Sequence, residues 1–453
     1  MIKMREMKRT IYMIIAAAAV LLSFDSCSLY RHYERPDMFW VDSLYRRIPA
    51  SADTVSSASV SWDTFFTDSL LRSWIELGLK HNTDINVARF KVQEAEAALQ
   101  AARWALLPGA SFSLKGGLPG TFSTSVNASW ETDIFGSLRN ASRKAEAAVK
   151  QSEAYKQAVQ TQMVATIANS YYTLLMLDEQ LVISKRTLGT WDENIRTLEA
   201  LKRAGKTNEA AVMQAKANKF NVEANILTLE KEIMAVENSF CALLGTVPMH
   251  IERGRLIDQK MPESLYAGVP AELLSRRPDV KQAEMVLAQS FYDKNIAESA
   301  FYPTVSLSGA LGWTVGGVAV DGGKMITDLV ASLSQYIFNK GKFLAGRKSA
   351  ESRYRQALYN FRQSLLDAGV EVNNALILWS TAKKRVEIDK KQILSLQAAV
   401  WNTQLLMKHG NANYLEVLSA QKNLLQAELT ETSDRFDEIQ SVVNLYHALG
   451  GGY

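Results

Sequence analysis

Few residues in this chain of 453 are of a type and spacing that could do chemistry. The five histidines, His32, His81, His250, His409 and His447, lie far apart and form no metal-ligand spacing. No Gly-x-Ser-x-Gly turn is present to raise a nucleophile. The glycines before Lys324 miss the phosphate-loop spacing, because Gly317 and Gly322 are followed by Gly323 rather than lysine. Catalysis is therefore not expected, and neither is a metal or organic cofactor. The net charge of +4 is small for this length and no long basic block occurs, so nucleic acid is not an expected partner. The one thiol with a chemical prospect is Cys27. Lys3, Arg5, Lys8 and Arg9 precede an apolar run, Ile11–Leu22, which is too short to span a bilayer, since that takes about 20 residues. Ser26 and then Cys27 after such a run is the pattern of a lipoprotein signal, with residues 1–26 removed and Cys27 carrying lipid, although Phe24 and Asp25 depart from its usual residues. Cys241 then has no partner in the chain and reads as a small apolar helix residue.

The elements that position everything else are drawn by proline. None of the nine prolines falls between residues 120 and 247, and none after 303. Proline breaks helix interiors, so these gaps permit very long helices. The expected helices are Asn82–Leu107, Leu138–Arg203 with Ser137 as its cap, Asn208–Leu244, Arg277–Tyr302, Phe343–Lys408 and Tyr414–Leu449. The longest would span roughly 100 Å. Pro108 and Pro303 are expected to stop the two shorter ones, and Gly205 and Gly410 to end the long ones.

The chain also repeats itself. Asp84, Ala88, Ala102, Ala105, Pro108, Ser111 and Ser113 recur 195 residues on as Asp279, Ala283, Ala297, Ala300, Pro303, Ser306 and Ser308. Gly205, Val212, Ala215, Leu244 and Gly245 recur 205 residues on as Gly410, Val417, Ala420, Leu449 and Gly450. A period of this length is too long for a solenoid unit and implies duplicated half-molecules.

Between the helices the period changes to two. In Thr121–Thr132, Phe122, Thr124, Val126, Ala128 and Trp130 alternate with Ser123, Ser125, Asn127, Ser129 and Glu131. Ala110–Leu118, Pro303–Trp313 and, less regularly, Leu329–Ile337 read as further strands, with a polar loop over 316–324. In a secreted lipoprotein, an apolar face backed by a polar one is the pattern of a transmembrane β-barrel. Four strands cannot close a barrel, and an open edge in a bilayer leaves backbone groups unpaired. Further copies of the chain must complete it.

With these residues in view, the chain resembles the TolC-like outer-membrane efflux factors. It is most similar to the lipoprotein branch that serves pumps of the resistance-nodulation-division class. Carrying the resemblance are Cys27-Ser28 with Tyr33-Glu34-Arg35-Pro36, Trp130-Glu131-Thr132-Asp133-Ile134-Phe135-Gly136, Leu274-Ser275-Arg276-Arg277-Pro278-Asp279-Val280, Tyr414-Leu415-Glu416-Val417-Leu418 and the ending Ala448-Leu449-Gly450-Gly451-Gly452. It implies an α+β membrane protein, a homotrimer whose strands form one twelve-stranded barrel in the outer membrane, continued by a long α-helical barrel across the periplasm. It implies passive conduction of exported compounds, with a periplasmic adaptor (membrane fusion) protein, an inner-membrane pump and outer-membrane lipid as partners. It divides the chain into a signal peptide (1–26), an N-terminal lipid-anchored and equatorial segment (27–80), a first repeat (81–245, hairpin 109–134), a linker (246–275) and a second repeat (276–453, hairpin 303–338).

The resemblance also places site residues. Adaptor-docking helix tips fall at Gly205, Lys206 and Thr207 and at Gly410, Asn411 and Ala412. The periplasmic gate falls at Glu416 and Ser419, where the family often carries two acids, and in the first half at Gln214 with Glu209 nearby. A single acid per chain puts a strong cation block in doubt. Aromatic residues of the membrane interface are expected among Trp130, Trp313, Phe122 and Tyr336. The rival reading is a periplasmic coiled-coil scaffold with soluble hairpins and no pore.

Overall fold

The computed structural model describes residues 30–38, 41–44, 60–117, 121–260, 273–315, 324–336, 339–409 and 413–451. Cys27, the signal, most of the 316–324 loop and the tip residues Gly410, Asn411 and Ala412 lie outside these residues.

Seven main helices and four strands follow in the order α1 (Ser69–His81), α2 (Thr83–Trp104), β1 (Gly109–Gly117), β2 (Thr121–Thr132), α3 (Ser137–Arg203), α4 (Glu209–Leu244), α5 (Pro278–Ser299), β3 (Thr304–Val315), β4 (Lys324–Ser334), α6 (Lys342–Lys408) and α7 (Tyr414–Ala448). The repeat is kept almost to the residue. Both ends of α2 recur in α5 at a spacing of 195, and both ends of α3 recur in α6 at 205. The second hairpin absorbs the extra residues.

Three expectations need correction. The short helices end at Trp104 and Ser299, ahead of the prolines; a tight turn in which the Leu107 N–H donates to the Trp104 carbonyl (2.9 Å) leads into Pro108 and the strand. Ser137 is the first helical residue of α3 and not its cap. Asp133 does that work: its Oδ1 accepts from the Leu138 N–H and its Oδ2 from the Arg139 N–H, each at 2.8 Å. A carboxylate at a helix start also complements the helix dipole. The fourth strand begins at Lys324, five residues earlier than its apolar residues suggest, and ends at Ser334.

The chain forms two compact units, and each draws on both repeats. The first holds the sheet with residues 30–37, Phe90–Ala154 and Lys281–Gln363. Its sheet is antiparallel throughout in the order β1-β2-β3-β4, so the two hairpins join through β2 and β3. The second unit holds the described residues of Met38–Arg89 together with Tyr155–Val280 and Ser364–Tyr453. Its core packs Leu71 and Ile75 of α1, Ile167, Tyr171 and Leu174 of α3, Phe240 and Leu244 of α4, and Ile439 and Val443 of α7. A second cluster lies near the turns between long helices: Trp191 and Leu198 of α3, Val212 and Ala215 of α4, Tyr414 and Leu418 of α7. None of the described helices is long and apolar enough to cross a membrane.

Candidate functional site

The sheet register sorts its side chains onto two faces, because successive residues of a strand point to opposite sides. Phe112, Val126, Leu311 and Thr327 are aligned across the four strands, as are Leu114, Thr124, Trp313 and Met325. On this face Phe112, Leu114, Phe122, Val126, Leu311, Leu329 and Leu333 are exposed. The other face carries Ser113, Ser125, Asn127, Ser306 and Ser332, with Lys115, Glu131 and Asp328. Its hydroxyls and amide bond to one another. Ser113 and Ser125 are 2.8 Å apart, the Asn127 amide donates to Ser113 at 3.2 Å, and Ser306 meets Ser332 at 2.7 Å. An apolar surface turned outward and a hydrogen-bonded polar surface behind it invert the soluble pattern. β1 and β4 are the edges of this sheet.

The register also places the four candidate aromatics. Phe122 pairs with Val315, and Trp313 sits opposite Thr124, at one end of the strands. Trp130 pairs with Leu307 at the other end, and Tyr336 follows the end of β4 there. All four are exposed. The Trp130 indole N–H donates to the Leu106 carbonyl at 3.0 Å, so its ring is amphipathic in place. Trp104 and Phe301 are both exposed, and the Phe301 ring sits 5.8 Å from that of Phe343.

At the first helix turn Gly205 adopts φ +69°, and the Lys206 N–H closes back on the Leu201 carbonyl at 2.9 Å. This is the Schellman ending that a residue without Cβ favours. Asn208 caps α4 by accepting from the Ala211 N–H at 3.0 Å, and Asn413, 205 residues on, caps α7 by accepting from the Leu415 N–H at 3.3 Å. Glu416 lies exposed in the first turn of α7, with Ser419 exposed one turn along. Gln214 is exposed as well, whereas Glu209 is engaged by Lys202 across the turn.

Sequence reasoning missed a pair of equivalent clasps in the second unit. The buried Asn82 amide donates to the Leu243 carbonyl at 2.8 Å, while its Oδ1 caps α2. At the equivalent place in the other half, Arg277 Nη1 donates to the Ala448 carbonyl at 2.9 Å. Gly245 and Gly450 both have positive φ, and a Cβ would strike the His81 carbonyl oxygen in one and the Arg276 carbonyl in the other, each at 2.9 Å. The duplication has thus kept both partners of the contact. The second copy added charge: buried Arg277 also binds Asp279 at 2.7 Å and Glu371 at 2.6 Å. Burial pushes the Glu371 carboxyl up, but His447 and Arg277 outweigh it and hold its pKa at about 2. In the first unit, Arg35 forks onto buried Glu284 at 2.8 and 2.7 Å, which ties the extended segment 30–38 to α5. Cys241 is fully buried, as expected of a lone apolar cysteine, and also accepts the Met249 N–H at 3.3 Å. The described histidines take separate partners, His250 on Glu237 and His447 on Glu371, and no group of described residues could hold a metal ion.

With this geometry in place, comparison with known proteins decides the kind of molecule. The model of the outer membrane efflux protein family matches residues 74–246 and 269–451, one segment for each repeat. The chain belongs to the outer membrane efflux protein family. It is 29% identical over 451 residues to the cation efflux system protein CusC of Escherichia coli O6:H1, covering 96% of this chain and 97% of that one. It is 26% identical to the probable outer membrane lipoprotein SilC of Salmonella typhimurium, covering 97% and 98%. Among solved structures, the outer-membrane channel OprN superposes with a TM-score of 0.86 at 26% identity, covering 94% of this chain and 99% of that one. The open-state outer membrane channel MtrE of Neisseria gonorrhoeae superposes at 0.82 and 25% identity, covering 94% and 98%. As a family member the chain is an outer-membrane efflux channel, a conduit and not an enzyme. The two-faced sheet is the part built for the membrane, and the scaffold reading, which has no pore, is set aside.

Proposed function

We propose that this chain is the exit duct of a tripartite efflux system, working as a homotrimer anchored by lipid on Cys27. The observation that carries the reading is the four-stranded sheet, apolar outside and polar inside, with β1 and β4 as edges. Bilayer barrels close every edge and start at about eight strands, so more than one copy is needed, and three copies give twelve. Phe122 and Trp130 are separated by about 27 Å of strand, or about 20 Å along the membrane normal at a tilt of about 40°. That is comparable with an apolar band of about 25 Å. The two aromatic groups at opposite strand ends then mark its borders.

Two exposed apolar stripes support joining of copies through the second unit. Met213, Phe220, Leu227 and Met234 recur every seven residues on α4, and Leu394, Trp401 and Leu405, spaced seven and four, share one face of α6. A seven-residue apolar repeat is the seam of a coiled coil. The polar lining suits passage of hydrophilic and charged compounds delivered by a resistance-nodulation-division pump. The turns at 203–207 and 409–413 are the surfaces offered to its adaptor. Glu416, repeated three times around the entrance, forms a carboxylate ring that favours cations. Planar-bilayer recording of the detergent-purified protein tests both parts. Discrete conductance steps are expected, with cation selectivity reduced in Glu416→Ala. Steps with unchanged selectivity would remove the ring. Silence that persists after the helix turns are loosened by mutation would remove the pore.

A further inference from the structure

Buried carboxyl groups outside the proposed duct lining meet on the seam between α6 and α7. Asp389 of α6 is 8% exposed and Asp434 of α7 is 2% exposed. The two side chains lie within hydrogen-bonding reach of each other, yet neither Oδ2 has a donor among the described residues. Two buried carboxylates this close, each with an oxygen that lacks a donor, repel each other and are poorly solvated. Arg385, one turn before Asp389 on α6, answers only part of this, at 2.5 Å from Asp434 Oδ1, and it is half exposed. The other charged groups around the pair are of both signs. Asp437 of α7 acts on Asp434. Glu431 of α7 feels Asp389 and Glu179 of α3 against Arg435 and Lys390, and its carboxyl is pushed up, mainly by burial.

We propose that Asp389 and Asp434 bind a single proton between them, and that this shared proton latches α6 onto α7. The ligand is a proton and not a metal ion, because no group of described residues has the donors to hold a metal. With the proton in place one carboxyl donates to the other and both oxygens are satisfied. Without it two anions share one low-dielectric site and push the helices apart. Asp434 has its carboxyl raised to about 6, first by burial and then by Asp389. The sign follows from a raised acid: the seam is tightest at low pH and loosens as pH rises through that value. The latch stands on the packing of α6 on α7 whatever the duct conducts. Any effect on conduction rests on the proposed entrance at Glu416.

Infrared spectroscopy of the full-length protein in detergent reads the proton directly, and amide exchange reads the seam. A carbonyl stretch from a protonated buried carboxyl group is expected at about pH 5 and should be gone by about pH 8. It should be lost in both Asp389→Asn and Asp434→Asn. Exchange of the 382–392 amides, corrected for intrinsic rates, should be about tenfold faster at the higher pH in the wild type. It should be independent of pH in either asparagine variant, where an amide can donate in place of the proton. An absent band, or variants that keep the wild-type pH dependence, would overturn the latch. If one variant fails to fold, the other still decides, since each removes half of the pair.

Discussion

Arg277→Ala is expected to cost about 3 kcal/mol of stability, the lower end of the range for breaking a buried ion pair. The arginine is buried and is the common partner of Asp279, Glu371 and the Ala448 carbonyl. Its removal leaves two anions and a carbonyl to find water. Asp279 and Glu371 keep 46% and 42% of their side-chain surface exposed, so water recovers part of the loss. The damage should be local as well as global. The carbonyl held by Arg277 belongs to the last residue of α7, so the C-terminal end should become the first site of limited proteolysis. Acid should act in the same direction as the mutation. Glu371 is depressed from 4.5 to about 2, so the stability it contributes is present above 4.5 and lost as pH falls through 2. Thermal unfolding of wild type and variant across that window should show the wild type more sensitive to acid. Equal melting temperatures near neutral pH would contradict the clasp.

A one-residue shift in the sheet gives the second large effect. Leu311 lies mid-strand on the apolar face, aligned with Val126 and Thr327. Leu311→Arg places a charge against lipid, at about 2–4 kcal/mol per copy near the bilayer centre, and every copy in the barrel bears it. Ala310 is its neighbour on the polar face, aligned with Asn127 and Asp328. Ala310→Arg should therefore assemble near normally and alter conductance instead. The measurement is the heat-resistant oligomer recovered from outer membranes of cells expressing each variant. Comparable yields from the two would mean the faces have been assigned wrongly.

How much of this was legible in the sequence differs from element to element. β2 was readable to the residue because four apolar residues and Thr124 alternate with polar ones from Phe122 to Glu131. β4 was not, because Val330 falls on the polar face opposite Ser308 and blurs the alternation, so its start is set by pairing to β3 and not by pattern. The long helices were readable because no proline interrupts them and glycine or asparagine marks their ends. The cap of α3 was missed because Asp133 reaches in from across the turn at Ile134–Gly136, while the nearest serine looks like the obvious candidate. Arg35 with Glu284 and Arg277 with Glu371 join residues 249 and 94 positions apart, and no local spacing announces such pairs. Glu209, expected near the first-half gate position, is paired with Lys202 across the turn, a contact no spacing announced. Repeat spacing carried further than local pattern: residues matched at 195 or 205 do occupy equivalent contacts, as Asn82 and Arg277 show.

The central claim is that four strands from each chain become a closed barrel only when copies of the chain combine. The mass of the assembly extracted in mild detergent tests it most directly. Native mass spectrometry should find three chains together, from a membrane fraction that yields the protein to detergent and not to salt or urea. A single chain, or protein released by urea alone, would contradict a shared barrel.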